Sequence, residues 1–209
     1  MGIKTVNTKR IRKPLKKANP TIREGLELVD PKEIYPDFVP FTPFVSKKII
    51  VRDTKTVKGK GVFAIKEIKK GELILEFEPT FIKKATQHTF RFDRHLHQLC
   101  MDEKAAENYL NHSCEANARF DSSKAASLRF AFRAKRKIKA GEEITYNYFT
   151  TDWGGEDNFE CACGSLHCKR LITGFKTLTL SEKEALRSDL TPYLLNKLKQ
   201  AKKITRRGN

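Results

Sequence analysis

The chain has 209 residues and a hydrophobic share of 39%, enough to build the core of one ordinary domain with a small satellite. Its 42 Lys and Arg outnumber 25 Asp and Glu, and the resulting charge of +17 favours acidic partners, nucleic acid among them. No apolar run reaches the ~18 residues that a bilayer span needs, and the start lacks an apolar stretch followed by a cleavage site. These features point away from membrane and secreted classes and towards an intracellular setting, the nucleus in a eukaryote and the cytoplasm otherwise.

Residues 1–20, basic and without an acid, read as a disordered arm able to touch DNA or RNA. Residues 21–46 carry Pro31, Pro36, Pro40 and Pro43 and read as an extended, irregular flank. From Lys47 the pattern changes to short strands between glycine turns. KKIIVRDT, GKGVFAI and ELILEFEPTFI each predict a strand, the last ended by Lys83 and Lys84. Weak helical character follows at 100–110. In LRFAFRAKRKI the residues Leu128, Phe130 and Phe132 alternate with Arg129, Ala131 and Arg133, as a one-sided strand requires. A Lys-Ala-Gly turn leads into EEITYNYF. The stretches AIKEIKKGELI and RAKRKIKAGEEI share an Ile-Lys-x-Gly-Glu turn, two similar hairpin-like turns rather than a repeat architecture. From residue 179 the chain turns helical: Ser181 and Glu184 have capping-box spacing, and Thr191–Pro192 marks a second start, with Leu194, Leu195 and Leu198 on one side.

Two stretches carry the chemistry. FECACGSLHC sets Cys161, Cys163 and Cys168 within eight residues, and three thiolates so close suit one tetrahedral zinc that lacks a fourth ligand. His167 is nearest, but its neighbour Cys168 is already assigned. Cys114 would instead tie this patch to NYLNHSCEANARF, a stretch crowded with hydrogen-bonding side chains. Cys100 has no such company and reads as a small buried residue. His88, His95 and His97 lack a convincing fourth partner and read as surface or groove residues.

Four motifs in order resemble the SET-domain protein-lysine methyltransferases: KGKGVFA (58–64), NHSCEAN (111–117), GEEITYNY (141–148) and CACGSLHC (161–168), the last similar to a post-SET zinc motif. The resemblance implies a mainly β chain with short helices, a fold of small curved sheets with a pseudoknot, and a C-terminal helical extension. It divides the chain into a SET domain at 47–150, a post-SET zinc motif at 151–178 and the extension at 179–209. It implies S-adenosylmethionine held by Gly59, Lys60, Gly61, Asn111, His112, Tyr148 and Phe159, with Trp153 as a second possible cover for the adenine. Tyr148 and Tyr146 are the expected catalytic pair, strand alternation placing them on one face. Cys114, Cys161, Cys163 and Cys168 are the implied ligands of a structural zinc. Where many relatives carry Arg, three positions before the motif Asn, this chain has Asn108, so that charge must be missing or come from elsewhere.

The chemistry asks for the same parts. A lysine amine must be neutral to attack a methyl group, and at pH 7 only roughly one in 2,500 is, equivalent to about 4.6 kcal/mol. An apolar aromatic channel lowers that amine's pKa and orients it in line. The expected substrate is a histone or other basic protein with an exposed lysine, and the expected product is mono- or dimethyllysine, because a Tyr hydroxyl at 146 leaves room for a water. A monomer is expected. Glu76, Glu78, Asp93, Asp102 and Glu103 are the acids available to a groove for a basic substrate. The contrasting readings are a zinc-stabilised chromatin or nucleic-acid adaptor without catalysis and a Cys-His hydrolase. Against the second, residues two apart such as Cys114 and His112 rarely have the mutual geometry of a nucleophile–base pair, and the sequence offers no convincing third member.

Overall fold

The computed structural model describes residues 26–78, 80–84, 89–100, 102, 104–123, 128–154 and 158–207. The basic arm, His88 and Glu103 lie outside them. The Pro-rich flank yields β1 (Leu28–Val29), a one-turn α1 (Pro31–Ile34) capped by Asp30, and β2 (Phe44–Val45). Then come β3 (Ile49–Asp53), β4 (Lys60–Ala64), β5 (Leu73–Phe77), β6 (Thr80–Ile82), β7 (Phe90–Arg91) and β8 (His97–Leu99). The second half carries β9 (Asn111–His112), β10 (Ala118–Asp121), β11 (Phe130–Ala134), β12 (Glu143–Tyr146), β13 (Phe159–Glu160) and β14 (Leu171–Ile172). The helices α2 (Leu180–Ala185) and α3 (Pro192–Arg207) end the chain.

Three four-stranded sheets in the orders β1-β6-β8-β7, β10-β11-β5-β2 and β3-β4-β12-β9 surround one core, and β13 pairs β14 alone. The core is rich in phenylalanine: Phe81, Phe120, Phe130 and Phe132 are fully buried beside Ile74, Leu75 and Ile144. Alternation in 128–133 holds for Leu128, Phe130 and Phe132. Ala131 is buried too, because the flank covers the other face. There Arg129 grips Glu76 through two hydrogen bonds (3.2 and 2.6 Å) and lies over the Phe41 ring at 4.2 Å.

The two Ile-Lys-x-Gly-Glu turns meet each other. Ile68 and Ile138 exchange backbone hydrogen bonds at 2.9 Å in both directions. Gly71 donates to the Ala134 carbonyl (2.8 Å) as Gly141 donates to that of Ala64 (2.7 Å). Glu72 accepts from the Lys69 amide as Glu142 accepts from that of Lys139 (3.0 and 2.8 Å). Exchanging each residue of 64–72 with the one 70 positions later maps the set onto itself. The turns form a seam with local two-fold symmetry.

Several expectations change. The run 72–82 is two strands in different sheets, β5 and β6. The weak helix is a 3-10 turn at Ala106–Tyr109. The capping box sits two residues early: the Thr179 hydroxyl accepts from the Glu182 amide (3.3 Å) and the Glu182 carboxylate accepts from the Thr179 amide (2.7 Å). Glu184 instead pairs with Arg187 and Lys202. The start at Thr191–Pro192 holds, and Leu194 and Leu198 are fully buried. They join Phe149, Ile172, Phe175 and Leu190 in a second core that packs against Cys114, Cys161 and Tyr148. The helical extension therefore braces the cysteine loop.

Candidate active site and cysteine centre

The parallel pairing of β9 with β12 sets Thr145 opposite Asn111 and Tyr146 opposite His112. Asn117 locks this junction, its amide donating to the Glu143 carbonyl (2.8 Å) and accepting from the Thr145 amide (2.9 Å). The strand then ends. Asn147 accepts from the Phe149 amide and starts a 3-10 turn at Tyr148–Thr150. Tyr146 and Tyr148 do lie together, with ring centroids 4.8 Å apart, but through this turn and not through strand alternation. Tyr146 packs on Phe132 (4.8 Å) and Phe90 (5.9 Å), while the Tyr148 hydroxyl donates to the Leu110 carbonyl at 3.0 Å. Burial, then Tyr148, pushes the Tyr146 phenol well above its usual range against the pull of Thr151. Burial, then Glu143, does the same for Tyr148. Both phenols keep their protons.

Asn111 and His112 are occupied by the protein itself. The Asn111 amide donates to the Lys60 carbonyl (2.9 Å) and to Glu143 Oε1 (2.8 Å), and Glu143 also holds Lys58 at 2.6 Å. His112 Nδ1 accepts from the Tyr148 amide at 3.1 Å, and Nε2 lies 3.3 Å from Cys114 Sγ. Burial, then Lys58, pulls this imidazole down to about 4, so it is neutral. The two side chains are thus spent within the protein, Asn111 tying β9 to Lys60 and Glu143 and His112 tying it to the Tyr148 turn. The glycines divide likewise. A Cβ on Gly61 would sit 2.7 Å from Glu143 Oε1 and 3.0 Å from Asn111 Nδ2, so Gly61 makes room for these side chains. Gly59, at φ +72°, has nothing within 4 Å of its Cβ position and closes the turn between β3 and β4, its amide donating to the Thr56 carbonyl at 3.1 Å. Asn108 donates to the Asp102 carbonyl, and the cations beside Asn111 are Lys58 and Lys60, the latter over the Tyr109 ring at 5.4 Å. Glu143 and Lys58 were not singled out in the sequence, although each lies in a quoted motif; their pairing joins residues 85 positions apart.

Phe159 is 38% exposed at the rim, with its ring 6.0 Å from Tyr148 and 6.4 Å from His112. Trp153 is elsewhere: it packs on Phe175 and Tyr193 beneath Lys197, in the second core. It is not a cover for the pocket.

Cys114, Cys161, Cys163 and Cys168 bring four sulfurs within 4.8 Å of one another. A tetrahedral zinc with bonds of about 2.3 Å separates its sulfurs by about 3.8 Å, and Cys114 and Cys161 stand 3.9 Å apart. Backbone amides also point at the sulfurs, Lys169 to Cys114 (3.3 Å) and Arg170 to Cys168 (3.4 Å). Cys163 is held at about 6, where burial is outweighed by hydrogen bonds from Ser165 and neighbouring groups, while burial pushes Cys114 and Cys161 up. Four thiols so close ionise together only around a cation, and the set fits zinc. His167 turns away to Glu115 (2.6 Å).

The other sequence candidates do not converge. His95 is exposed, and His97 is buried and neutral, drawn down to about 4 by burial and then Arg91. Glu76 is committed to Arg129. Asp93 accepts from the His95 and Leu96 amides, and Asp102 from that of Lys104, so both shape turns. No helix of the described residues is long and apolar enough to cross a membrane.

Residues 59–149 match the family model described as SET domain. The chain is 29% identical over 139 residues to the Candida albicans protein named histone-lysine N-methyltransferase, H3 lysine-36 specific, covering 59% of this chain and 16% of that one. It is 27% identical over 154 residues to the Emericella nidulans histone-lysine N-methyltransferase, H3 lysine-4 specific, covering 65% of this chain and 13% of that one. The chain thus spans about a sixth of the length of these relatives or less. Among solved structures, the methyltransferase domain of human histone-lysine N-methyltransferase SETMAR superposes with a TM-score of 0.49 at 20% identity, covering 62% of this chain and 59% of that one.

Proposed function

Because the chain carries a SET domain, we propose that it transfers methyl groups from S-adenosylmethionine to lysine side chains of a histone or another basic protein. The observation that carries this reading is the Tyr146–Tyr148 pair, its rings 4.8 Å apart where β9 meets β12, with Tyr146 buried and Tyr148 half-buried. S-adenosylmethionine supplies an electrophilic methyl group on a sulfonium. Gly59 and Lys60, with the Asn111–His112 backbone, form the wall against which it would lie, and Phe159 covers the rim.

The tyrosines make the lysine's end of the site. Their faces tolerate a cationic chain while excluding water, which lowers the pKa of the amine. Neither phenol is a base, since both hold their protons. The lysine must therefore shed its proton to solvent before it is sealed in, and the tunnel's task is to keep it neutral and in line. With its own proton given to Leu110, the Tyr148 oxygen has lone pairs free to meet a polarised methyl C–H group.

In this reading residues 47–150 are the catalytic domain, 151–178 the zinc motif and 179–209 its brace. Mono- or dimethylation is the product this reading expects, because a water held by the Tyr146 hydroxyl would occupy the space of a third methyl group. The proposed setting is the nucleus, with the basic arm on nucleic acid. Tritiated-methyl transfer to histones and to whole-cell extract, with Tyr148→Phe as control, tests the reading. Labelled protein lost in the variant supports it, and no label from the wild-type chain in either mixture would leave the adaptor. Mass spectrometry showing mainly trimethyllysine would remove the product-state assignment.

A further inference from the structure

We propose that His112 is a positioning residue that joins the cysteine centre to the Tyr148 turn, accepting from the Tyr148 amide at one ring nitrogen and donating to Cys114 sulfur at the other. The join rests on the zinc reading of the four cysteines. Only its consequence for methyl transfer rests on the function proposed above.

The tautomer follows from the contacts. The Tyr148 amide donates to Nδ1 at 3.1 Å, and a ring nitrogen that accepts carries no proton. The single proton of the neutral ring then sits on Nε2, which faces Cys114 Sγ at 3.3 Å. The residue is 6% exposed, so water is a poor substitute at either nitrogen. Turning the ring over would leave the half-buried Tyr148 amide without its acceptor. One orientation and one tautomer satisfy both ends.

Cys114 is consequently a meeting point. Its sulfur receives one donor from the pocket, His112, and one from the cysteine loop, the Lys169 amide at 3.3 Å. Donors on a metal-bound thiolate draw off its charge and fix its direction, as outer partners of metal ligands do in general. At the other end, the Tyr148 turn is tied twice to the segment that ends in Cys114: its amide to His112 and its hydroxyl to Leu110. A displacement of Cys114 reaches the amide of the reacting tyrosine through a single rigid ring. Metal retention and the placement of Tyr148 are one mechanical unit.

Three substitutions separate the two ends. His112→Gln carries an amide N–H near the position of Nε2 and keeps the sulfur donor. His112→Asn keeps an acceptor near Nδ1 only, and His112→Leu keeps neither. The full chain is loaded with Co2+ in place of zinc, and the near-ultraviolet charge-transfer band of the cobalt–thiolate bonds is recorded. Loss of the N–H donor raises the energy of the sulfur electrons, so the band should move to longer wavelength in the Asn and Leu variants and stay in place in the Gln variant. Zinc loss to a chelator should be about tenfold faster in the first two. In methyl transfer, Gln and Leu should lower kcat with little change in cofactor affinity. A Leu band superimposed on that of the wild type overturns the proposal. If the Leu variant does not fold, identical bands for Asn and Gln do the same. Absence of methyl transfer by the wild-type chain would strike the proposed function while leaving the band test intact. A wild-type chain that takes up no Co2+ or Zn2+ would overturn the join itself.

Discussion

Replacing Gly174 with alanine should cost far more than the backbone angle alone predicts. Gly174 has φ +84°, and its added Cβ would lie 2.1 Å from Gly154 Cα, 2.3 Å from Gly154 N and 2.7 Å from Trp153 C. All three are backbone atoms of a second strand of chain, held there because Phe175 and Lys176 donate to the Asp152 and Trp153 carbonyls at 2.9 Å each. At φ +84° with ψ 167° the backbone lies in a region open essentially to glycine alone, which costs alanine about 1–3 kcal/mol, of which roughly 0.4–1 is offset by the stiffer unfolded chain. The clash cannot relax without opening the crossing. That forfeits two backbone hydrogen bonds at about 1 kcal/mol each, together with the packing of Phe175, for a total above about 4 kcal/mol. Gly71→Ala is the control: its φ is +80° and nothing lies within 4 Å of its Cβ, so it should cost about 1 kcal/mol. Urea unfolding of both variants reads the difference as a shift in midpoint at constant m value. A gap of about 3 kcal/mol is expected, and equal midpoints would refute the backbone crossing.

Three further outcomes follow from separate contacts. His97 has a folded pKa of about 4 against an ordinary 6.5, so its contribution to stability is complete above pH 6.5 and is lost as pH falls towards 4. Between pH 7 and pH 5 this amounts to about 2 kcal/mol, and the stability of His97→Gln should fall by that much less over the same interval; equal falls would contradict it. Arg129→Ala removes the two-pronged partner of Glu76, whose side chain is 8% exposed, and should cost about 2 kcal/mol by chemical denaturation, with Glu76→Gln on the same background restoring part of it. Thr179→Ala should lower stability by about 1 kcal/mol, and Thr179→Ser should not, whereas Ser181→Ala should be nearly silent in the same melts.

What was legible in the sequence is what local pattern encodes. Alternation around Phe130 and Phe132, the glycine turns and the spacing of Cys161, Cys163 and Cys168 all reappear in the fold. Misreadings arose where a distant contact decides. The box at Thr179 wins over Ser181 because Glu182 also reaches Lys169, an ion pair with the cysteine loop. Tyr148 departs from the strand because the Asn147 side chain captures the Phe149 amide. Gly61 serves Asn111 and Glu143, 50 and 82 positions away, and no local pattern announces that pairing. Trp153 looked like a ligand cover by proximity in sequence, yet Tyr193, 40 positions on, holds it in the second core.

The two-fold seam at Ile68 and Ile138 closes residues 73–133 into a ring whose ends are clasped by paired backbone hydrogen bonds. Within that ring, residues 83–105 leave from β6 and re-enter at the 3-10 turn before Asn111, two points already anchored. Phe90 in this arc packs on Tyr146 at 5.9 Å and Arg91 donates to the Thr151 carbonyl at 3.2 Å, so a change in β7 reaches the tyrosines, whereas lengthening the turn between β7 and β8 adds only closure entropy, about 0.6 kcal/mol for each doubling of a flexible loop. The seam fixes where the arc begins and ends, and Phe90 is the point at which a change within it is felt at Tyr146.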